Sequence, residues 1–365
     1  MDITSVCLVI FSFLFLVQLC YYIFIYFKLV IYKEQKKSFS KGVSVVVCGY
    51  NEEKYWQALV DKLLKQDYPN FEIVLVDDQS TDNTKFVFKQ WENYPNIKLV
   101  DIGEDIKKGL GKKFALTLGI KAAKYDYLLL TDADCYPKSK NWISSMAQHF
   151  SDKAIVLGYG AYEKHKGLLN KLVRFDTFQV AIQYFSYALI GKTYMGVGRN
   201  LAYKKSLFFD NKGFASHLHL PSGDDDLFIK EVASHNNTAI SITHSSHTLS
   251  VPKNTWKSWI RQKSRHLSTG FYYKNYHKFM LGLWSLSNIF FWLMFFTLLM
   301  FQKSLYLIFS LFLIRLLVQI LILQPVMKKL NEKDLIFAYP FLELLSIFFY
   351  FIFIFNRTIK KKNFW

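Results

Sequence analysis

The sequence predicts an α/β domain with a mostly parallel sheet, bounded by apolar segments long enough to cross a membrane. Two observations support this: β-branched runs alternate with amphipathic stretches in the middle of the chain, and runs rich in Phe, Leu and Ile occupy both ends. Of 365 residues, 52% are hydrophobic and 18% aromatic, which is typical of a membrane protein. The predicted divisions are an N-terminal transmembrane helix (1–30), the α/β domain (41–250), an interfacial amphipathic segment (251–278) and two or three C-terminal membrane segments (279–356).

The first apolar run, Ser5 to Phe27, has the length of a membrane-spanning helix, because about 20 apolar residues cross the hydrocarbon layer. A cleaved signal peptide is disfavoured, since no positive charge precedes the run and no small-residue cleavage site follows it. Asp2 precedes the run and four lysines follow it between Lys28 and Lys37. The positive-inside rule then places the α/β domain in the cytoplasm, as part of a multi-pass protein of the cell (inner) membrane.

The net charge of +18 is interpreted as contact with membrane lipids, with no nucleic-acid partner. Lys and Arg gather beside the apolar stretches, in Lys28 to Lys41, Lys253 to Lys278 and Arg357 to Lys362, where anionic headgroups would lie. The four cysteines are widely spaced and form no CxxC pair, so we expect reduced thiols.

Strands and helices alternate in the middle of the chain. The pattern predicts four strands and two helices: strands Val43 to Cys48, Phe71 to Val76, Asn96 to Val100 and Tyr125 to Leu130, and helices Trp56 to Leu64 and Gly111 to Ala123. Strand, helix, strand implies parallel pairing with a right-handed crossover. Ligands bind at the carboxyl ends of strands in such sheets, and the acidic clusters of this sequence follow predicted strands.

Three apolar blocks make up the last part of the chain: Phe279 to Phe301, Leu305 to Val326 and Leu335 to Phe355. The first two should form a tight hairpin, whereas the third could span the membrane or re-enter it. Arg315, in mid-block, needs a partner, because an unpaired Arg is costly in hydrocarbon. A lipid phosphate, a helix partner or Glu343 could serve, and snorkelling is the alternative.

The sharpest motif is Asp132-Ala-Asp134, directly after the last predicted strand. Two carboxylates that flank a small residue can hold one hard cation, Mg²⁺ or Mn²⁺, which can bridge the two phosphates of a nucleotide. A solvated turn is the alternative, since Asp is common in turns.

Two further acidic sites follow. Asp78 ends a strand and could accept a hydrogen bond from a nucleobase or ribose, while Ser80 to Thr84 could cap the next helix. Asp224, Asp225 and Asp226 are consecutive, and mutual repulsion makes such a run a candidate for proton transfer. One of the three is a candidate general base, although Asp224 and Asp226 could instead form an acidic helix start.

A basic, aromatic segment precedes the C-terminal blocks. Trp256 and Trp259 are interpreted as an interfacial anchor, with basic residues towards headgroups. Gln262 and Arg265 share a helical face and could hold a departing diphosphate.

Together these motifs resemble the family-2 glycosyltransferases of the GT-A fold, a Rossmann-like architecture, over about Val43 to Gly270. Gly49-Tyr-Asn-Glu-Glu53 resembles the nucleotide loop of that family, Asp132-Ala-Asp134 its metal motif and Gly223-Asp-Asp225 its base motif. Gln262-Lys-Ser-Arg265-His266 resembles the Gln-x-x-Arg-Trp motif of the membrane-bound branch, with His266 in the Trp position.

The resemblance implies a role for each matching residue. The implied sets are Asp225, Gln262 and Arg265 for catalysis; Tyr50, Glu52, Asp78, Lys112 and Asp132 for the nucleotide; Asp134 and Asp132 for the metal; and Arg199, Asn200, Asp224 and His266 for the acceptor.

The implied reaction is inverting transfer of a sugar from a nucleotide-diphosphate donor to a lipid or lipid-linked acceptor at the cytoplasmic membrane face, with UDP favoured over GDP. Two alternatives remain, a processive polysaccharide synthase and a non-enzymatic membrane binding protein. The smaller ring of His266 and the few polar residues of the C-terminal blocks favour the addition of one or a few sugars.

Overall fold

The computed structural model describes residues 2–103 and 111–359, and that part of the chain contains ten strands in two sheets. The strands are β1 (Val43–Gly49), β2 (Phe71–Asp77), β3 (Ile97–Asp101), β4 (Tyr127–Asp132), β5 (Cys135–Pro137), β6 (Ile155–Gly158), β7 (Gly160–Tyr162), β8 (Leu201–Lys204), β9 (Thr238–Ser241) and β10 (Thr248–Ser250). The predicted third and fourth strands each begin and end one or two residues later than expected.

The larger sheet has the order β3-β2-β1-β4-β8-β6-β9. Strands β3, β2, β1 and β4 are parallel, β8 runs antiparallel between β4 and β6, and β9 is parallel to β6. The predicted mostly parallel sheet is therefore confirmed. Gly49 pairs with Asp77 and Cys48 with Asp132, so the carboxyl ends of the three central strands are level.

The central strand β1 is buried on both faces, which explains its unbroken run of small apolar residues. Val43, Val45 and Val47 pack into the core on one side of the sheet, and Val46 and Cys48 into the core on the other. A strand covered on both faces gains from apolar residues at every position, so no polar alternation is expected. The smaller sheet has the order β5-β10-β7, with β10 antiparallel to β5 and parallel to β7.

Helices flank the sheet and form the apolar ends. They are α1 (Ile3–Cys20), continued by a π-helical stretch (Tyr21–Tyr26) and α2 (Phe27–Ile31), then α3 (Glu53–Leu64), α4 (Thr84–Lys89), α5 (Lys112–Ala122), α6 (Trp142–Ala147), α7 (Leu168–Leu189), α8 (Lys205–Asp210), α9 (Asp226–Val232), α10 (Trp256–His266), α11 (Asn275–Phe301), α12 (Leu305–Lys329) and α13 (Tyr339–Ile359).

Four helical segments within the described residues are long and apolar enough to cross a membrane: Ile3–Ile31, Asn275–Phe301, Leu305–Lys329 and Tyr339–Asn356. The turn between α11 and α12 is short because Gln302 and Ser304 adopt left-handed backbone angles, with φ of 52° and 56°. Helix α1 packs along α11, where the Phe11 and Phe291 rings stack with centroids 4.7 Å apart.

Arg315 of α12 finds its partner in Glu343 of α13, one of the alternatives open from the sequence. Its Nη2 lies 2.9 Å from Glu343 Oε1, and the two side chains are 3% and 0% exposed. Gln18 and Gln319 accept further hydrogen bonds from the guanidinium. The charge is therefore neutralised inside the helix cluster, and snorkelling is excluded.

The two tryptophans that we expect at a membrane interface both pack on α13. Trp259 is 2% exposed and contacts the rings of Phe349 and Phe353, with centroids 5.2 and 5.1 Å away. Trp256 stacks on Phe349 at 5.1 Å with an interplanar angle of 4°. Ser264 also donates a hydrogen bond to the Phe353 carbonyl. Helix α10 is thus attached to the last apolar helix.

Candidate active site

A cavity of about 610 Å³ lies at the carboxyl ends of β1 and β4. The turn after β4, the loop before β8, the start of α9 and one face of α10 surround it. Helix α7 and strand β7 supply the remaining wall through residues such as Tyr162, Asp176 and Tyr184. The cavity therefore lies between the sheet and the helix that is attached to α13.

Lys112, the first residue of α5, joins two of the acidic motifs. Its Nζ lies 2.7 Å from Asp132 Oδ1 and 2.8 Å from Asp224 Oδ2. Burial alone would lower the pKa of Lys112, but the two carboxylates outweigh it and raise that pKa well above its usual value. Burial opposes ionisation of Asp224 too, yet Lys112 holds its pKa below the usual value. Lys112 and Asp224 are therefore both charged at neutral pH.

Asp132 and Asp134 flank the tight turn between β4 and β5, as the motif predicts. With Cys135 they form a cluster whose ligand atoms all lie within 4.8 Å of one another. Burial raises the pKa of the Cys135 thiol, and its Sγ lies 2.8 Å from Ser250 Oγ, so the two carboxylates are the donors that suit a hard cation. Burial and then the charge of Asp132 raise the pKa of Asp134. This site fits Mg²⁺ or Mn²⁺.

Asp225 is the member of the acidic run with the properties of a base. The Gly198 amide donates to its Oδ2 at 2.7 Å and the Asp226 amide to its Oδ1 at 2.7 Å. Burial in the cavity, followed by the charges of Asp224 and Asp226, raises the pKa of Asp225 to about 7. A Cβ on Gly198 would lie 3.4 Å from Asp225 Oδ2 and 3.5 Å from Lys112 Nζ, so the main chain at this position lies beside both charged groups.

The side chains of the two neighbouring aspartates, Asp226 and Asp224, bind other groups of the protein. Asp226 is buried and accepts hydrogen bonds from the Thr269 and Tyr273 hydroxyls. Asp224 does not line the cavity within the described residues, because Lys112 holds its carboxylate. Asp224 instead lines a small pocket beside the cavity, together with Asp132 and Asp225, and its contact with an acceptor stays a prediction.

The loop before β8 contains one side chain directed to the cavity and one buried in the fold. Asn200 is 0% exposed; its amide donates to the carbonyls of Tyr159 and Ser246, and its oxygen accepts from Trp142 Nε1. Because every polar atom of this side chain is engaged, the expected acceptor contact of Asn200 is wrong. Arg199 lines the cavity.

Helix α10 directs Gln262, Arg265 and His266 to the cavity. Thr255 caps it by accepting a hydrogen bond from the Ser258 amide at 3.2 Å. Between the cavity-facing residues, Lys263 pairs with Asp176 of α7 at 2.5 Å. The helix is therefore held from both α7 and α13.

The end of β1 supplies the wall opposite α10, with Tyr50 and Glu52. Burial and the nearby charge of Asp134 raise the pKa of Glu52 to about 7. Asp78 lies one strand away and does not line the cavity within the described residues. Its Oδ2 is nonetheless buried without a hydrogen-bond partner there, and burial raises its pKa to about 6. Beyond it, Asp82 accepts from the Thr84 amide at 3.0 Å, where α4 begins.

The sequence reasoning missed the wall formed by α7 and β7. Asp176 and Tyr162 belong to no motif, and the sequence between Leu168 and Leu189 is mostly apolar. The one signal was the presence of Arg174 and Asp176 within that apolar helix, since buried charges are normally paired.

The mostly parallel sheet, with Asp132 and Asp134 at its carboxyl edge, has the GT-A-like architecture that the sequence predicts. Residues 44–209 match the sequence profile of the family described as Glycosyl transferase family 2. The chain thus carries a family-2 glycosyltransferase domain, which confirms the predicted family and the prediction of an enzyme.

Named relatives agree with this assignment. The chain is 29% identical over 174 residues to a dolichyl N-acetyl-alpha-D-glucosaminyl phosphate 3-beta-D-2,3-diacetamido-2,3-dideoxy-beta-D-glucuronosyltransferase of Methanococcus voltae, covering 46% of this chain and 50% of the relative. It is 34% identical over 94 residues to a poly-beta-1,6-N-acetyl-D-glucosamine synthase of Staphylococcus epidermidis, covering 26% and 22%. The alignments thus span half or less of each relative.

One solved structure is similar over nearly the whole chain. The mannosyltransferase PcManGT of Pyrobaculum calidifontis, in complex with GDP-Man and Mn²⁺, superposes with a TM-score of 0.58, covering 95% of this chain and 99% of that protein. The sequence identity is 18%, so the similarity is one of fold.

Proposed function

We propose that this protein transfers a sugar from a nucleotide-diphosphate donor to a lipid or lipid-linked acceptor at the cytoplasmic face of a membrane, with inversion at the anomeric carbon. The observation that supports this best is the composition of the cavity. Asp132 and Asp134, Asp225, and the α10 residues Gln262 and Arg265 all face one space of about 610 Å³.

Asp225 is the proposed general base. One of its oxygens is fixed by the Gly198 amide and the other by the Asp226 amide, so the carboxylate is oriented before an acceptor hydroxyl binds. A pKa of about 7 allows it to be ionised near neutral pH and still accept a proton. Such a base usually contributes about 10²- to 10⁴-fold to a rate.

The reaction also requires that the negative charge of the leaving diphosphate be neutralised. Mg²⁺ or Mn²⁺ held by Asp134 and Asp132 would neutralise part of that charge. Arg265, with Gln262 beside it, would bind the leaving diphosphate from α10. Tyr50, Glu52 and Asp78 would contact the nucleoside, and Lys112 would keep Asp132 in position through their 2.7 Å ion pair.

The attachment of α10 to α13 supports an acceptor at the membrane. The helix that would bind the diphosphate is packed on a segment able to span a membrane, so reaction and bilayer surface are close. The relative from Methanococcus voltae, named for a dolichyl-linked sugar phosphate, is consistent with this class of acceptor. UDP is the favoured nucleotide, with GDP as the alternative, since PcManGT is in complex with GDP-Man.

A processive polysaccharide synthase is the second candidate, because one relative is named as such. The polar groups among the apolar helices favour the addition of one or a few sugars instead. Arg315, Glu343, Gln319, Gln18 and Asn288 bind one another, and such closed pairing leaves these groups unavailable to a polar polymer.

The test uses the purified full-length protein in lipid nanodiscs. It is given a panel of UDP- and GDP-sugars with Mn²⁺ and membrane lipids, and the products are analysed by mass spectrometry. We expect nucleotide release coupled to a glycolipid extended by one or a few sugars, and its loss with Asp225→Asn. A long polymer would contradict the limited transfer, and nucleotide release without any glycosylated lipid would contradict the acceptor class.

A further inference from the structure

Arg199 is the one cation in the wall of the cavity whose position is fixed by aromatic stacking, among the residues the structure describes. Its guanidinium lies 4.4 Å from the centroid of the Tyr162 ring. Its side chain passes over Gly160, where a Cβ would come within 2.8 Å of Arg199 Cβ and 3.3 Å of Nε. The glycine therefore provides the space in which this side chain lies against the ring.

One nitrogen of this guanidinium nonetheless has no hydrogen-bond partner among the residues that the structure describes. That nitrogen, Nη1, is buried, and it carries two of the five N–H donors of the guanidinium. Two other cations of the same cavity are paired, Lys112 with Asp132 and Lys263 with Asp176. Buried donors are normally satisfied, so the unpartnered Nη1 of Arg199 indicates a missing partner.

The position of this guanidinium is set by its own backbone. The Arg199 carbonyl accepts hydrogen bonds from the Thr131 and Thr248 hydroxyls, each at 2.9 Å. The preceding residue, Gly198, donates to the proposed base Asp225. Arg199 thus directly follows the residue whose amide binds Asp225. This position allows its guanidinium to bind a substituent of a reacting sugar.

We propose that Arg199 binds a carboxylate or phosphate carried by one of the sugar substrates, so that the enzyme selects an acidic glycan. The proposal rests on the glycosyl transfer proposed above and adds the substrate class. A guanidinium presents a planar fork that matches both oxyanions and stacks on aromatic rings, whereas the hydroxyls of a neutral sugar could accept its hydrogen bonds but could not balance its charge. The oxyanion can belong to the donor sugar or to the acceptor.

The experiment compares ligands that differ only in charge, with the full-length protein in nanodiscs and Mn²⁺. In the donor arm, binding of UDP-hexuronates is compared with binding of the matching UDP-hexoses. In the acceptor arm, lipid-linked sugars ending in a hexuronate or a sugar phosphate are compared with their neutral counterparts. Each arm is measured by calorimetric titration with the natural protein, Arg199→Gln and Arg199→Lys, and thermal unfolding checks that the variants are folded.

We expect the natural protein to prefer the acidic ligand in one arm, which identifies the source of the oxyanion. Arg199→Gln should reduce that preference roughly ten- to a hundredfold, because a charge-assisted hydrogen bond is lost. Arg199→Lys should restore part of it. Equal binding of acidic and neutral ligands in both arms would overturn the proposal, as would weaker binding of UDP alone to Arg199→Gln, which would place the guanidinium on the diphosphate.

Transfer measured with neutral substrates separates this proposal from the one it rests on. The natural protein and Arg199→Gln could transfer neutral sugars at the same rate, with neither protein preferring acidic substrates. That result would overturn the role of Arg199 but not the proposed glycosyl transfer. No transfer with any donor in the panel, by protein that binds UDP with Mn²⁺, would overturn the proposed glycosyl transfer as well.

Discussion

The main-chain amide of Gly198 donates a 2.7 Å hydrogen bond to Oδ2 of Asp225. This contact joins the loop before β8 to the start of α9, two segments 27 residues apart in the chain. The hydrogen bond fixes the orientation of the Asp225 carboxylate towards the cavity. It therefore distinguishes Asp225 from Asp224 and Asp226 as the proposed base, and this assignment can be tested.

The transfer rate should rise with pH and level off above about 7, the pKa to which burial raises Asp225. Below that pH the carboxyl group is protonated and cannot take the proton of an acceptor hydroxyl, whereas above it the group is ionised. Asp225→Asn should lose at least about 10²-fold in kcat while still binding the nucleotide. The measurement is kcat over a pH series. A larger loss with Asp224→Asn would show that the assignment is shifted by one residue.

Activity should require Mg²⁺ or Mn²⁺, because Asp132 and Asp134 carry the same charge as a diphosphate and would repel it without a cation. Excess EDTA should abolish transfer, and added Mn²⁺ should restore it. Asp134→Asn should raise the Mn²⁺ concentration needed for half-maximal activity, with Lys253→Gln, whose Nζ lies 3.9 Å from Asp134, as a neighbouring control. Full turnover in EDTA would contradict the metal site.

Arg315→Met should destabilise the protein by about 3 to 5 kcal/mol, because it leaves the Glu343 carboxylate buried without its charge partner. The double variant Arg315→Met with Glu343→Leu should recover much of this loss, since it leaves neither charge unpaired. Thermal unfolding in detergent measures both. If the double variant were as unstable as the sum of the two single variants, the ion pair of 2.9 Å would not be energetically coupled.

The α/β domain should face the cytoplasm. A cysteine introduced at the exposed Asn93, in a chain whose Cys7 and Cys20 are replaced by serine, should resist a membrane-impermeant maleimide in intact cells and react after permeabilisation. Lys303→Cys, in the exposed turn between α11 and α12, should react without permeabilisation because α11 separates it from the domain. Labelling in the reverse order would place the domain on the other side.

The residues that were predictable are those whose position depends on a nearby strand. Asp132 and Asp134 directly follow the buried strand β4, and the level ends of the parallel strands bring them to the cavity. The contacts of Asn200 and Trp259 could not be predicted because their partners lie far away in the sequence. Trp142 and Ser246 surround Asn200, and Phe353 covers Trp259. Packing between distant segments decided these cases, and no local pattern encodes it.

The partner of Arg315 could not be identified from the sequence, for a related reason. Several groups could have met that charge, and the selection of Glu343 depends on how α12 and α13 lie against each other. In the same way, the pairing of Lys112 with both Asp132 and Asp224 required a loop after β8 to return to the start of α5. Sequence reasoning assigned Lys112 to the nucleotide, and its structural contacts are with the two acidic motifs.

The ion pair between Arg315 and Glu343 also has a consequence for the order in which the protein is made. Glu343 leaves the ribosome 28 residues after Arg315, so α12 is synthesised with a positive charge whose counter-charge does not yet exist. Gln18, already translated, can accept a hydrogen bond from the guanidinium but cannot neutralise it. Arrival of α13 completes the pair, and the same helix then receives α10. Chains interrupted before residue 343 would therefore lack both the neutral helix cluster and the support that α13 gives to α10.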